Sequence, residues 1–280
     1  MKNLGYYNGT IGLIEEMQVP MLDRAGYFGD GVYDATVSRN HTIYALEEHL
    51  DRFYEGLDFL RIEPPMPRKE LGELLAALVR KVDDGEQFVY WQASRGAAMR
   101  RHAFPHGVKA SLWIMLFPYR LHDDSIPEAV VTAEDTRFLH CNIKTINLIP
   151  GVLASQKAAE ADCFEAVFHR DGRVTECARS NVHILQDGVL RTAPADHLIL
   201  NGIARRHLLA ACGELGIPTR EEPYTLAQLL AADEVLITNS GVLCARVSTV
   251  DGAAVGGRAG TLVARLQEHL HRRFAEATAP

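Results

Sequence analysis

The sequence predicts an α+β or α/β protein in two domains, on three observations. Strand-like and helix-periodic segments alternate over residues 1–119 and alternate again after residue 128. Between them lies a polar, proline-bounded stretch with neither period. At 280 residues and 47% apolar content, the chain is long enough for one large core or two of ordinary domain size. The expected organisation is an N-terminal α+β domain over 1–119, an interdomain linker over 120–127 and a C-terminal domain over 128–280.

Each element follows from a local pattern. Residues 3–13 and 32–45 carry β-rich runs broken by turn residues. Leu46, Leu50, Phe53, Leu57 and Leu60 recur on one face at helical spacing and predict an amphipathic helix. Leu71, Leu74, Leu75, Leu78 and Val79 stripe a second one over 68–82. The aromatic and branched segments 88–92 and 112–117 read as strands. Past the linker, Val130 and Val131 restart the strand signal, and Pro150 suits the first turn of a helix over 150–161. Short strands follow near 164–168, 173–176, 181–186 and 189–192, with Asp171 and Gly172 turning the first pair. Asn201 is a candidate N-cap for a helix that starts near Gly202 and ends near Gly213 or Gly216. A last helix spans 259–275.

Bulk properties narrow the function classes. A net charge of −7 argues against a nucleic-acid binder, whose affinity rests on a basic footprint. The longest uninterrupted apolar runs, 74–79 and 112–117, are six residues long, whereas a bilayer span needs ~20. The N-terminus has no basic region followed by an apolar stretch and a cleavage site. The five cysteines are odd in number and contain no Cys-x-x-Cys pair. They read as reduced, mostly buried thiols of a cytoplasmic protein, with no disulfide or zinc framework. No metal site is expected: His269 and His271, two apart on a helix, face different ways.

The basic residues divide unevenly into six lysines and 23 arginines, so each lysine can be inspected for work arginine cannot do. Lys2, Lys69, Lys81, Lys109 and Lys157 read as solvated charge. Lys144 differs, because Ile143, Ile146, Leu148 and Ile149 surround it. An apolar setting disfavours the charged amine and favours attack on carbonyl carbons. A lysine snorkelling at a strand end explains the same pattern. Near 201–204 a helix start offers free N–H groups to an anion, as any capped helix does. The strand over 236–241 ends in Thr238, Asn239, Ser240 and Gly241, a second possible phosphate cradle. Glu176, ending a short strand, suits a cationic heterocyclic nitrogen or a plain surface position. Arg100 and His102, two apart on an extended segment, project to one side and can clamp a carboxylate; a solvated basic loop is the alternative.

Order and spacing bring these pieces together. The blocks Gly29-Asp30-Gly31-Val32-Tyr33-Asp34, Glu48-His49-Leu50-Asp51-Arg52-Phe53, Lys144-Thr145-Ile146-Asn147, Arg173-Val174-Thr175-Glu176, Leu200-Asn201-Gly202-Ile203-Ala204-Arg205 and Leu236-Ile237-Thr238-Asn239-Ser240 resemble, in that order, the fold-type IV pyridoxal-phosphate aminotransferases. The resemblance runs from about residue 3 to 270. Within that family the chain looks most like the D-amino acid aminotransferases, through the segment 89–105 with its Arg100-x-His102 pair. The resemblance implies a two-domain fold-type IV architecture, pyridoxal 5'-phosphate as cofactor, and ping-pong transamination between a D-amino acid and a 2-oxo acid. It implies Lys144 as the Schiff-base lysine, Glu176 as partner of the pyridine nitrogen, and Arg52, the N–H groups of Ile203 and Ala204, and the Ser240 hydroxyl around the phosphate. Tyr33, Arg100 and His102 would hold the substrate carboxylate, the last two reaching in from the partner subunit of a homodimer. Branched-chain L-aminotransferases, (R)-amine transaminases and aminodeoxychorismate lyases share the fold, and a cofactor-binding regulatory protein without turnover is the alternative outside enzymes. Two departures stand out: Cys177-Ala178-Arg179-Ser180-Asn181 replaces the usual run of serines, and Ala204 the usual threonine. Arg179 would thus bring a cation near the cofactor.

Overall fold

The computed structural model describes residues 1–280, and the chain divides into two compact units. The first comprises Met1–Arg120 together with Ile143–Asn147 and Phe274–Pro280. Its strands are β1 (Leu4–Tyr7), β2 (Thr10–Gly12), β3 (Gly31–Arg39), β4 (Thr42–Ile43), β5 (Gln87–Ser94) and β6 (Ser111–Pro118). They form one antiparallel sheet in the order β2-β1-β6-β5-β3-β4. The helices are α1 (Ala25–Phe28), α2 (Leu46–Phe59) and α3 (Arg68–Val79). The stripes seen in the sequence face inward: Leu50, Phe53 and Leu57 of α2 and Leu71, Leu75 and Leu78 of α3 share a core with Val89, Trp91, Ile114 and Leu116 of the sheet. Each fully buried apolar side chain is worth about 1.5–3 kcal/mol against exposure. Burial rather than capping holds α2 and α3, since neither has a side-chain N-cap bond.

The second unit comprises Leu121–Asn142 and Leu148–Arg273. Its strands are β7 (Glu128–Glu134), β8 (Glu165–Arg170), β9 (Arg173–Cys177), β10 (Asn181–Gln186), β11 (Val189–Thr192), β12 (Thr219–Glu221), β13 (Glu234–Asn239), β14 (Val242–Val250) and β15 (Ala253–Ala254). The order is β12-β11-β10-β13-β14-β7-β8-β9, with β15 beside β14. The pairs β11–β12, β14–β7 and β7–β8 are parallel. Helices α4 (Ile149–Glu160), α5 (Ile203–Glu214) and α6 (Leu226–Leu230) belong to this unit, and α7 (Gly260–Ala277) closes the chain. Asp171 and Gly172 both take positive φ, as a two-residue hairpin between β8 and β9 requires.

The structure corrects two sequence expectations. Lys144, expected in the C-terminal domain, belongs to the first unit. Thr145 bridges Val32, the Tyr33 amide donates to the Lys144 carbonyl at 3.0 Å, and the Ile146 amide donates to Gly31 at 3.2 Å. This segment pairs with the start of β3, whereas β4 pairs only with Ser38 and Arg39 at its end. The N-cap of α5 is Gly202, not Asn201, whose Oδ1 instead accepts from Arg205 Nη1 at 2.9 Å. A Cβ on Gly202 would stand 2.2 Å from Asn181 Oδ1, so the position needs glycine.

Candidate active site

In the first unit, β3 presents Tyr33 and Asp34 to opposite faces, as successive strand residues must. Tyr33 stacks on Tyr90 of β5 with ring centres 5.5 Å apart. Lys144 is half-buried, and its Nζ lies 4.2 Å from the Tyr33 ring centre, over the electron-rich face. The Tyr90 hydroxyl donates to Gln92 Oε1 at 2.6 Å, and burial pushes its pKa up, which keeps it a donor. The backbone bond from Tyr33 to Lys144 thus places amine and ring together by a sheet-like contact.

Asp34, fully buried, accepts from Arg52 Nε at 2.9 Å, Arg52 Nη2 at 2.7 Å and His49 Nδ1 at 2.7 Å. His49 and Arg52 are three apart on α2, hence on one face. Burial alone would raise the Asp34 pKa, but the Arg52 guanidinium holds it well below the carboxylate range. Burial lowers the His49 pKa. Arg52 is therefore clamped at two nitrogens before it meets any ligand. Arg100 and His102 follow β5 in an exposed loop and converge on Phe28: the guanidinium lies 5.0 Å and the imidazole 4.9 Å from its ring centre.

In the second unit, Glu176 is the penultimate residue of β9 and is only 5% exposed. One oxygen accepts from Arg137 Nη1; the other accepts from Asn181 Nδ2 and the Leu200 amide, each at 3.1 Å. Arg137 also holds Asp135 through Nε and Nη2, both at 2.9 Å. Burial works against the Arg137 charge, yet Asp135 and Glu176 raise its pKa overall. Asn181 donates as well to the Leu200 carbonyl at 2.9 Å and pairs in register with Thr238. One residue thereby ties together Glu176, the entry to α5 and the end of β13. Ile203 and Ala204 open α5, where the first-turn N–H groups have no preceding helical carbonyl and the dipole favours anions. Ser240 sits in the turn after β13, where Asn239 Oδ1 accepts from the Gly241 amide at 2.7 Å.

Arg179 rests against Phe164 and Glu165. Its guanidinium lies 5.2 Å from the Phe164 ring centre, with Nε 3.5 Å from the buried Glu165. Arg137 supplies a cation beside Glu176. Sequence reasoning missed Arg137, Asn181, Asp34 and His49, although the last three stand inside the quoted motifs.

A family model for class IV amino-transferases matches residues 31–250. The chain belongs to the class IV aminotransferase family. It is 36% identical over 276 residues to the D-alanine aminotransferase of Bacillus licheniformis, covering 98% of each chain. To that of Listeria monocytogenes it is 35% identical, covering 94% of this chain and 93% of the relative. Among solved structures, a T.th. branched-chain amino acid aminotransferase with pyridoxamine 5'-phosphate matches at TM-score 0.89 and 25% identity, over 99% of this chain and 95% of that one. The aminotransferase fold is thus fold-type IV, and the enzyme depends on pyridoxal phosphate, as its family does. The residues present fit that group chemically. Glu176 is a buried carboxylate beside a fixed arginine, suited to a cationic ring nitrogen. The α5 entry, kept clear of a Cβ at Gly202, suits a phosphate.

Proposed function

We propose that this aminotransferase moves an amino group between a D-amino acid of the D-alanine or D-glutamate class and a 2-oxo acid, in a ping-pong cycle, as a cytoplasmic homodimer. The observation that carries the reading is the amine of Lys144 held against the Tyr33 ring, one residue from the clamped Asp34. The D-amino acid class is supported by the D-alanine aminotransferases it resembles over nearly its whole length. The convergence of Arg100 and His102 on one ring supports a carboxylate grip.

In this reading Lys144 would hold the cofactor aldehyde and Glu176 its ring nitrogen. Arg52, the amides of Ile203 and Ala204, and Ser240 would hold its phosphate. Bound there, the cofactor supplies an electron sink for the Cα–H bonding pair. Once the substrate amine has displaced it from the aldehyde carbon, the Lys144 amine would take the proton from the substrate Cα and deliver it, on the same face, to that former aldehyde carbon. Tyr33, Arg100 and His102 hold the substrate carboxylate, so the side they occupy sets which hand of amino acid presents its Cα–H to Lys144. Glu176, which accepts a hydrogen bond from Arg137, would favour a protonated ring nitrogen.

Lys144→Ala tests the reading. Turnover with D-alanine and 2-oxoglutarate is expected to vanish, together with the borohydride-reducible yellow absorption. Wild-type rates in that variant would refute the assignment.

A further inference from the structure

The motif at 29–34 contains an aspartate, Asp30, that the proposed chemistry leaves unused, and it marks a buried arginine pair. Asp30 Oδ2 accepts from Arg24 Nε at 2.6 Å and from Arg95 Nε at 2.9 Å, and Oδ1 accepts from Arg95 Nη2 at 3.0 Å. The Arg24 side chain is 3% exposed. Its other two nitrogens leave the carboxylate and read the loop after β5: Nη1 donates to the Arg101 carbonyl at 2.6 Å and Nη2 to the His102 carbonyl at 3.4 Å. The guanidinium lies 4.7 Å from the ring centre of Phe28, the same ring against which Arg100 and His102 rest. Arg95 completes the frame, with its guanidinium 3.6 Å from the ring centre of Phe104 beyond the pair. Backbone bonds from Arg24 to Gly96 and from Ala98 to Leu22 fasten the root of the loop.

From this we infer that Arg24 is a substrate-positioning residue, which fixes the backbone at 101–102 so that Arg100 and His102 point together at a substrate carboxylate. Asp30 holds Arg24 in the one orientation that reaches both carbonyls. A lysine has a single donor centre and cannot span Asp30 and two carbonyls, whereas the planar arginine fork can. The inference rests on the proposed carboxylate role of Arg100 and His102.

The test compares Arg24→Lys, Asp30→Asn, Arg100→Ala and the Arg24→Lys/Arg100→Ala double variant as holoenzymes. The probes are D-alanine, D-alaninamide (no carboxylate) and propanoate (a carboxylate without the amine). Arg24→Lys is expected to raise KM for D-alanine by roughly 10–100-fold, the cost of a misplaced binding group. Propanoate binding, read by protein fluorescence, is expected to weaken by a similar factor. The cofactor absorption and the reaction with D-alaninamide stay as in wild type. Asp30→Asn reproduces the effect in smaller measure and serves if Arg24→Lys does not fold. On the Arg100→Ala background, Arg24→Lys is expected to add less than about twofold, because the two act through one grip. Equal losses for D-alanine and D-alaninamide, or the same factor in both backgrounds, would overturn the inference. An unchanged KM in Arg100→Ala would instead overturn the carboxylate role itself. A raised KM there with a normal KM in Arg24→Lys would overturn the positioning role alone.

Discussion

Arg137 shows what a single half-buried cation can carry. It faces Asp135, whose side chain has no exposure, and Glu176 at once. Arg137→Met would take this guanidinium from both carboxylates, leaving Asp135 with Arg170 Nη2 at 3.3 Å, and losing one partner of a largely buried pair costs up to about 3–5 kcal/mol. The expected result is a lower urea midpoint at pH 7. Burial alone would raise the Asp135 pKa, but the hydrogen bonds and charge of Arg137 hold it below the usual value. Asp135 therefore contributes stability that is complete above its unfolded pKa of about 3.9 and is lost as pH falls through its folded value. In Arg137→Met that protection is weakened, with only Arg170 and the Thr175 hydroxyl left on Asp135, so acid unfolding, followed by circular dichroism, is expected at higher pH than in wild type. Lys144 and Glu176 were legible because motif order singled them out. Arg137 was not, since Glu134, Asp135, Thr136 and Arg137 lie outside every motif block that carries the resemblance. Only the fold reveals that Asp135 is buried and that Arg137 is largely covered against it.

At the scale of elements, His183 joins three strands of the second sheet. From β10 its Nδ1 meets Thr192 Oγ1 of β11 and its Nε2 meets Thr238 Oγ1 of β13, each at 2.9 Å. Burial pushes its pKa down to about 3. An unfolded histidine titrates near 6.5, so the neutral form that the sheet needs is fully supported above that pH and loses ground as pH falls toward 3. Between pH 6.5 and 5 this amounts to about 2 kcal/mol of stability. In His183→Leu that part of the pH dependence is expected to vanish, as urea unfolding at the two pH values would show; an unchanged slope would refute it. A second element-level test concerns the α5 entry. Gly202→Ala drives a Cβ into Asn181, which also holds Glu176, so the holoenzyme is expected to lose cofactor on gel filtration more readily than wild type. The long helices were readable because α2 and α3 carry apolar stripes. The four residues of α1 and five of α6 are too short to show a period, although the capping box of Thr225 and Gln228 was a usable signal for α6.

For the whole molecule, alternation of strand and helix signals foretold two α+β parts, but not how strands pair. The parallel contact of β14 with β7 joins residues more than a hundred positions apart. The pairing of the Lys144 segment with β3 does the same, and neither leaves a periodic trace in sequence. The proposed assembly is a homodimer, so sedimentation should give about twice the 31.0 kDa chain mass. No helix is long and apolar enough to cross a membrane. The central claim is that Lys144 and its surroundings make a transaminase for D-amino acids. Its most direct test is the single-turnover reaction of the holoenzyme with D-alanine, followed through the cofactor absorption and pyruvate release. Conversion to the aminated cofactor with one pyruvate per site, faster than with L-leucine, is the predicted result. Faster reaction with L-leucine, or no conversion with D-alanine, would contradict it.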